Sequence, residues 1–97
     1  MPTAFVCNCD MTASYLIKSL RKAGYRVPKD ISVVGFDDYL FPGLCDIPLT
    51  TYAVNMQGMA ESGVKLLLKK LAGEETSRCM HMVEGHFIER DSVRNIN

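Results

Sequence analysis

Residues Ile31-Ser32-Val33-Val34-Gly35-Phe36 are apolar at nearly every position, and the run stops at Asp37-Asp38. No other stretch narrows the possible folds as much. A strand with one wet face alternates apolar and polar residues, whereas one without alternation is buried on both faces. Burial on both faces is the condition of parallel strands covered by helices. The preceding residues supply that setting. Thr3 to Cys7 (TAFVC) is short, apolar and partly β-branched, and it predicts a first buried strand. Between the two runs, Ala13, Leu16, Ile17, Leu20 and Ala23 recur at helical spacing and form one apolar stripe. Asp10 is expected to cap this helix, because a carboxylate accepts the unpaired amides of a first turn. Lys18, Arg21 and Lys22 suit its C-terminal dipole, and Gly24 ends it. Strand, helix, strand makes a βαβ unit with a right-handed crossover.

Asp38 to Pro48 reads as loop, punctuated by Pro42-Gly43 and Ile47-Pro48. Leu49 to Val54 (LTTYAV) is rich in β formers and predicts a third strand or extended crossing segment. Met56, Met59, Ala60, Gly63, Val64, Leu67, Leu68, Leu71 and Ala72 then share one face of a second helix. Glu61 and Lys65 are spaced to pair on its other face, and Gly73 ends it. Cys79 to Val83 and Phe87 to Glu89 both have strand character. The fold class is therefore α/β, a partial doubly wound parallel sheet in the order β-α-β-loop-β-α-β.

Composition removes several functions. Eleven basic residues cancel eleven acidic ones, which leaves no electrostatic footprint for nucleic acid or an anionic membrane. No apolar run is long enough to span a bilayer, and no leader marks the chain for export, so a cytoplasmic location is expected. There Cys7, Cys9, Cys45 and Cys79 stay reduced. Cys7-x-Cys9 with Cys79-x-His81 has zinc-ligand types, but the single intervening residue is shorter than paired zinc cysteines use, so no metal and no cofactor is expected. With no G-x-S-x-G, phosphate loop or paired zinc histidines, the chain is not expected to be an enzyme. The six methionines read as core filling.

Ligands of open α/β sheets bind beyond the carboxyl ends of the strands. Asp37 and Asp38 end one such strand, and Asn8, Cys9 and Asp10 end the other. An ionised carboxylate only accepts hydrogen bonds, so Asp37 suits a ligand rich in donors, such as a sugar. The alternative is that these acids cap helices or tighten turns. Cys9, near a helix N-terminus, gains thiolate character from the dipole and loses it to the neighbouring Asp10.

Several motifs occur in order along the chain: PTAFVC (2–7), Asp10-x-x-Ala13, AGYRVPKD (23–30), ISVVGFDD (31–38), PLTT (48–51), the helix from Met59 to Leu71, and FIERDS (87–92). Together they resemble the C-terminal part of LacI-family transcriptional regulators. That resemblance implies a partial periplasmic-binding-protein-like fold, in which two α/β subdomains flank an effector cleft. On it, residues 1–48 end the C-terminal effector subdomain. Residues 49–78 supply a crossing segment and a helix of the N-terminal subdomain, and 79–97 return as strand and tail. The implied function is effector binding, specifically sugar sensing, together with dimerisation. The implied partners are a small-molecule effector and a second copy of the chain. No helix-turn-helix precedes Pro2, so operator DNA is expected to be met only through a domain absent from this chain.

Residue by residue, Asp37 matches the family's effector-reading carboxylate, and Asp38 matches a position more often structural. Cys9 stands where an effector-binding Asn is common, with Asn8 before it and Asp10 after it. Ser14, Tyr15, Lys18 and Cys45 match positions at or near a two-fold contact. Two other functions stay open: a stand-alone small-molecule-binding or interaction module, and a metal or redox protein using the cysteines. In relatives the second helix packs in a subdomain that these residues do not supply. In this chain its stripe is therefore expected to drive association or altered packing.

Overall fold

The computed structural model describes residues 2–38, 45–74 and 82–96. Its elements run β1 (Ala4–Val6), α1 (Asp10–Lys22), β2 (Ser32–Val34), β3 (Thr51–Ala53), α2 (Met56–Leu71) and β4 (His86–Ile88). The chain divides into two compact units. One comprises Met1–Val54 with His86–Asn97, the other Asn55–Gly85.

In the first unit β1 and β2 pair in parallel, Ala4 beside Ser32 and Val6 beside Val34. β3 and β4 pair antiparallel, Thr51 beside Ile88 and Ala53 beside His86. Two parallel bridges, Val34 to Thr50 and Asp37 to Ala53, join the pairs. The amides of Gly35 and Asp37 donate across this seam to the carbonyls of Thr50 and Tyr52, each at 2.9 Å. The strands thus lie side by side as β1-β2-β3-β4, three parallel and the last reversed. The parallel α/β class read from the sequence holds, with an antiparallel return strand at one edge.

α1 covers this sheet with the stripe seen in the sequence. Ala13, Ile17 and Leu20 are buried with Val27, Ile31, Val33 and Leu49, and Phe5, Leu16 and Ile47 pack against them. Each fully buried aliphatic contributes about 1.5–3 kcal/mol relative to leaving it exposed. Gly35 permits the close approach of α1 to the sheet. A Cβ there would collide with Asp10 Oδ1 and lie 2.8 Å from Leu49 Cδ2.

Several expectations need correction. β1 is not buried on both faces: Val6 is 83% exposed, and Phe5 alone turns toward the core. It is the outer strand, so the alternation rule applies to it. Ala23 is exposed, one residue past the helix. Asp10 is not the cap of α1. Cys9 takes the cap position in extended conformation, and Asp10 begins the helix. In α2, Glu61 accepts from Gln57 Nε2 at 3.1 Å, and no ion pair with Lys65 forms among the described residues. Most of the predicted strand Cys79–Val83 and the Pro42-Gly43 turn lie outside the described residues; Met82 and Val83 are not in a strand.

The second unit is α2 with its flanks. Asn55 caps it, Oδ1 accepting from the Gly58 amide at 2.9 Å. Gly73, in the left-handed region at φ 81°, follows its end. No residue of α2 is buried, and Met56, Met59, Val64, Leu67, Leu68 and Leu71 are all exposed.

Candidate functional site

The parallel pairing of β1 with β2 puts their carboxyl ends on one rim, and backbone bonds weld it. The Cys7 amide donates to the Val34 carbonyl at 2.8 Å, and the Asp10 amide to the Phe36 carbonyl at 3.0 Å. Asn8, Cys9, Asp10, Asp37 and Asp38 are therefore gathered in one place, as the strand-end reading expects. They do not do one job.

Asp37 is half-buried, with φ 103°, and Asp38 follows at φ 57°. Both lie in the left-handed region, which Asp tolerates better than most residues but still at a cost of about 1–3 kcal/mol. Strain of this kind clusters at functional sites. The Asp37 main chain is fixed through Tyr52 and Ala53. Asp38 forms an ion pair with Arg90, Oδ1 to Nη2 at 2.8 Å. The neighbouring acids therefore divide their roles: Asp38 is held by an internal cation, while among the described residues none donates to the Asp37 carboxylate.

Asp10 lies beneath the rim rather than on it. It is buried, and its Oδ1 accepts from Thr51 Oγ1 at 2.7 Å. In the register set by the two bridges Thr51 lies beside Gly35, so this bond pins the start of α1 over the β2–β3 seam. Asn8 is exposed, and Cys9 is half-buried with Sγ 3.3 Å from Thr12 Oγ1. The Thr12 hydroxyl first, then the amides of Thr12 and Met11, hold the Cys9 thiol below its ordinary range, although desolvation and the Asp37 charge oppose them. None of these amides closes a well-aligned capping bond to the sulfur. They act as oriented dipoles at a helix N-terminus. Burial first, and then Cys9, push the Cys7 thiol up.

Two residues of the site escaped the sequence reading. Arg90 is one. His86 is the other: it pairs with Ala53, which in turn bridges to Asp37, so it shares a row with the rim carboxylate. The available signal was the β character of both Leu49–Val54 and Phe87–Glu89, but their register depends on residues in between. Beside this row, Phe36 and Tyr52 stack with ring centroids 5.7 Å apart. Among the described residues no group of three metal-ligating side chains forms; Cys79 and His81 lie outside them.

The residues matched to a two-fold contact are split. Tyr15 is 62% exposed, and Lys18 is exposed beside it on α1. Ser14 is 2% exposed, its Oγ donating to the Met11 carbonyl at 2.7 Å. Cys45 is half-buried and packs against the core.

Comparison with known proteins agrees with this architecture. The family described as periplasmic binding protein-like domain matches residues 1–93. The HTH-type transcriptional regulator MalR of Streptomyces coelicolor is 44% identical over 71 residues, which is 73% of this chain and 21% of that protein. A LacI family transcriptional regulator from Lactobacillus casei, solved with bound sucrose, is 34% identical with a TM-score of 0.76, over 95% of this chain and 34% of that one. The lac repressor dimer, bound to operator and the anti-inducer ONPF, is 27% identical with a TM-score of 0.83, over 95% of this chain and 32% of that one. The chain thus spans about a fifth to a third of the length of these relatives. These relatives are regulators of transcription. Among the described residues no helix is long and apolar enough to cross a membrane. The chain belongs to the periplasmic binding protein-like domain family, in the form found in LacI-type transcriptional regulators.

Proposed function

We propose that this chain is the effector-reading part of a cytoplasmic transcriptional regulator, and that its effector is a sugar. The observation that carries the reading is Asp37: a carboxylate at the carboxyl end of a parallel strand, held in a left-handed conformation on a rim with Asn8 and Cys9. An acceptor-only group there is matched to ligand hydroxyls. The Lactobacillus casei relative solved with sucrose supports the class of ligand.

In this reading residues 1–48 belong to one wall of the effector cleft. Residues 49–78 cross to the other and supply its helix, and 79–97 return. Asp10 supports the rim from below, and Cys9 tunes which hydroxyls are accepted, since a thiol is a weak donor and acceptor. Tyr15 and Lys18 meet a second copy of the chain, with Ser14 and Cys45 bracing that surface from inside. Operator DNA is engaged through a helix-turn-helix that these 97 residues do not contain. Effector binding shifts the population between DNA-bound and released forms.

Calorimetric titration of the chain and of the full-length regulator with sucrose, cellobiose and lactose tests the reading. Asp37→Ala is expected to weaken binding roughly 10–100-fold, the worth of hydrogen bonds to a charged acceptor. Binding that is unchanged in Asp37→Ala would refute the assignment.

A further inference from the structure

Arg90 joins three pieces of the first unit. Its Nη2 lies 2.8 Å from Asp38 Oδ1. Its Nη1 donates to the Leu49 carbonyl at 2.9 Å. Its amide donates to Thr50 Oγ1, also at 2.9 Å. The guanidinium is planar and rigid, so its two Nη donors keep a fixed separation and orientation. The Asp38 carboxylate is thereby held at a set distance from the backbone that leads into β3. Both side chains are only about one-quarter exposed, at 26% and 27%, which limits solvent screening of the pair.

Asp38 is the second residue of the left-handed pair, and Asp37 is the first. The Asp37 amide is tied to Tyr52 on β3. With Arg90 holding Asp38, the turn is gripped at both of its residues. A two-residue left-handed turn of non-glycine residues persists only where its surroundings over-determine it. Arg90 also occupies a particular place in the chain. The second unit begins at Asn55 and ends at Gly85, so the chain enters it through Leu49–Val54 and returns through His86–Arg90. Arg90 bonds the first of these segments from the end of the second.

We propose that Arg90 is a positioning residue for Asp37. By clamping Asp38 to the backbone at Leu49, it maintains the left-handed turn that aims the Asp37 carboxylate. That aim therefore depends on how the two linking segments are spaced within the first unit. The proposal rests on the reading of Asp37 as the effector-binding carboxylate, but its test needs no effector.

Solution NMR of the isotopically labelled chain reports the turn directly, because a residue with positive φ shows a strong cross-peak between its own amide and Hα. In Arg90→Ala, Asp37 is expected to lose this signature while the amides of Ile17 and Val33 keep their native shifts. Asp38→Ala breaks the pair from the other side and is expected to give the same change. Arg90→Lys keeps the charge without the fork and is expected to restore the signature only partly. Where sucrose binds the parent chain, Arg90→Ala weakens it about tenfold, and adding Arg90→Ala to Asp37→Ala weakens it no further. If Arg90→Ala does not fold, Asp38→Ala decides the matter. Retention of the Asp37 signature in the folded variants overturns the proposal. Loss of the signature in a chain that binds no sugar upholds the positioning role and defeats the sugar reading instead.

Discussion

Cys7 and Cys9 show how far two thiols one residue apart can diverge. Cys9 faces the Thr12 hydroxyl and the first-turn amides, which favour its thiolate, while burial disfavours the Cys7 thiolate. Site-resolved alkylation with iodoacetamide across pH, read by mass spectrometry, is expected to give Cys9 a midpoint below that of an ordinary thiol and Cys7 one above it. Thr12→Val is expected to move the Cys9 midpoint up, because the hydroxyl is the leading cause; an unmoved midpoint would contradict that. The linked stability has a definite sign. A folded-state value below the unfolded one adds stability at pH above the unfolded value, and that stability is lost as pH falls through the folded value. Asp30 behaves alike in the acid range, its carboxyl lowered mainly by the Arg26 amide at 2.7 Å. The sequence sets the helix dipole against Asp10 at Cys9 but does not show Thr12 reaching back to it, nor that the opposing charge is Asp37. The opposite fates of Asp37 and Asp38 were equally hidden, because Arg90 is far along the chain.

α1 and α2 both carry apolar stripes, yet among the described residues only the α1 stripe is buried. The α1 stripe meets β2, Ile31 and Leu49, whereas α2 leaves Leu67 at 58% and Leu71 at 75% exposure. Periodicity reports that a helix has a face to bury and does not report what buries it. Contiguous exposed apolar surface promotes association. Sedimentation equilibrium of this chain is therefore expected to show a mass that rises with concentration, and Leu67→Gln with Leu71→Gln to reduce that rise. A monomer at every concentration, with α2 amides fully protected from exchange, would run against this. The strands were read too long, Ile31–Phe36 against Ser32–Val34, because apolar character continues past the point where ladder pairing gives way to isolated bridges.

The first unit is closed by residues that lie far apart in the chain. Ser92 is buried between β2 and the start of β3. Its Oγ donates to the Val33 carbonyl at 2.5 Å and accepts from the Thr50 amide at 2.8 Å, and its own carbonyl accepts from the Val33 amide at 2.9 Å. The serine hydroxyl thus supplies hydrogen bonds where the two strands diverge. Ser92→Ala leaves a buried donor and a buried acceptor without that partner, and is expected to lower unfolding free energy by about 1–3 kcal/mol, measured by urea denaturation with an unchanged m-value. A loss near zero would mean that water replaces the hydroxyl. FIERDS was legible as a motif carrying a resemblance, but the sequence assigned no task to its Arg90 or Ser92. What local sequence could fix was local: the βαβ order, the α1 stripe, the glycine stops, and a strand ending in carboxylates at a ligand-binding rim. These follow from side-chain periodicity and backbone preference, which act over a few residues. Long-range closure decided the rest. It drew Asp10 down to Thr51, gave Asp38 to Arg90 and left Asp37 on the rim, set His86 in that carboxylate's row, and left no residue of α2 buried. The Asp10 and Asp38 pairings turn on partners 41 and 52 positions away, whose meeting depends on register and packing that no local pattern encodes.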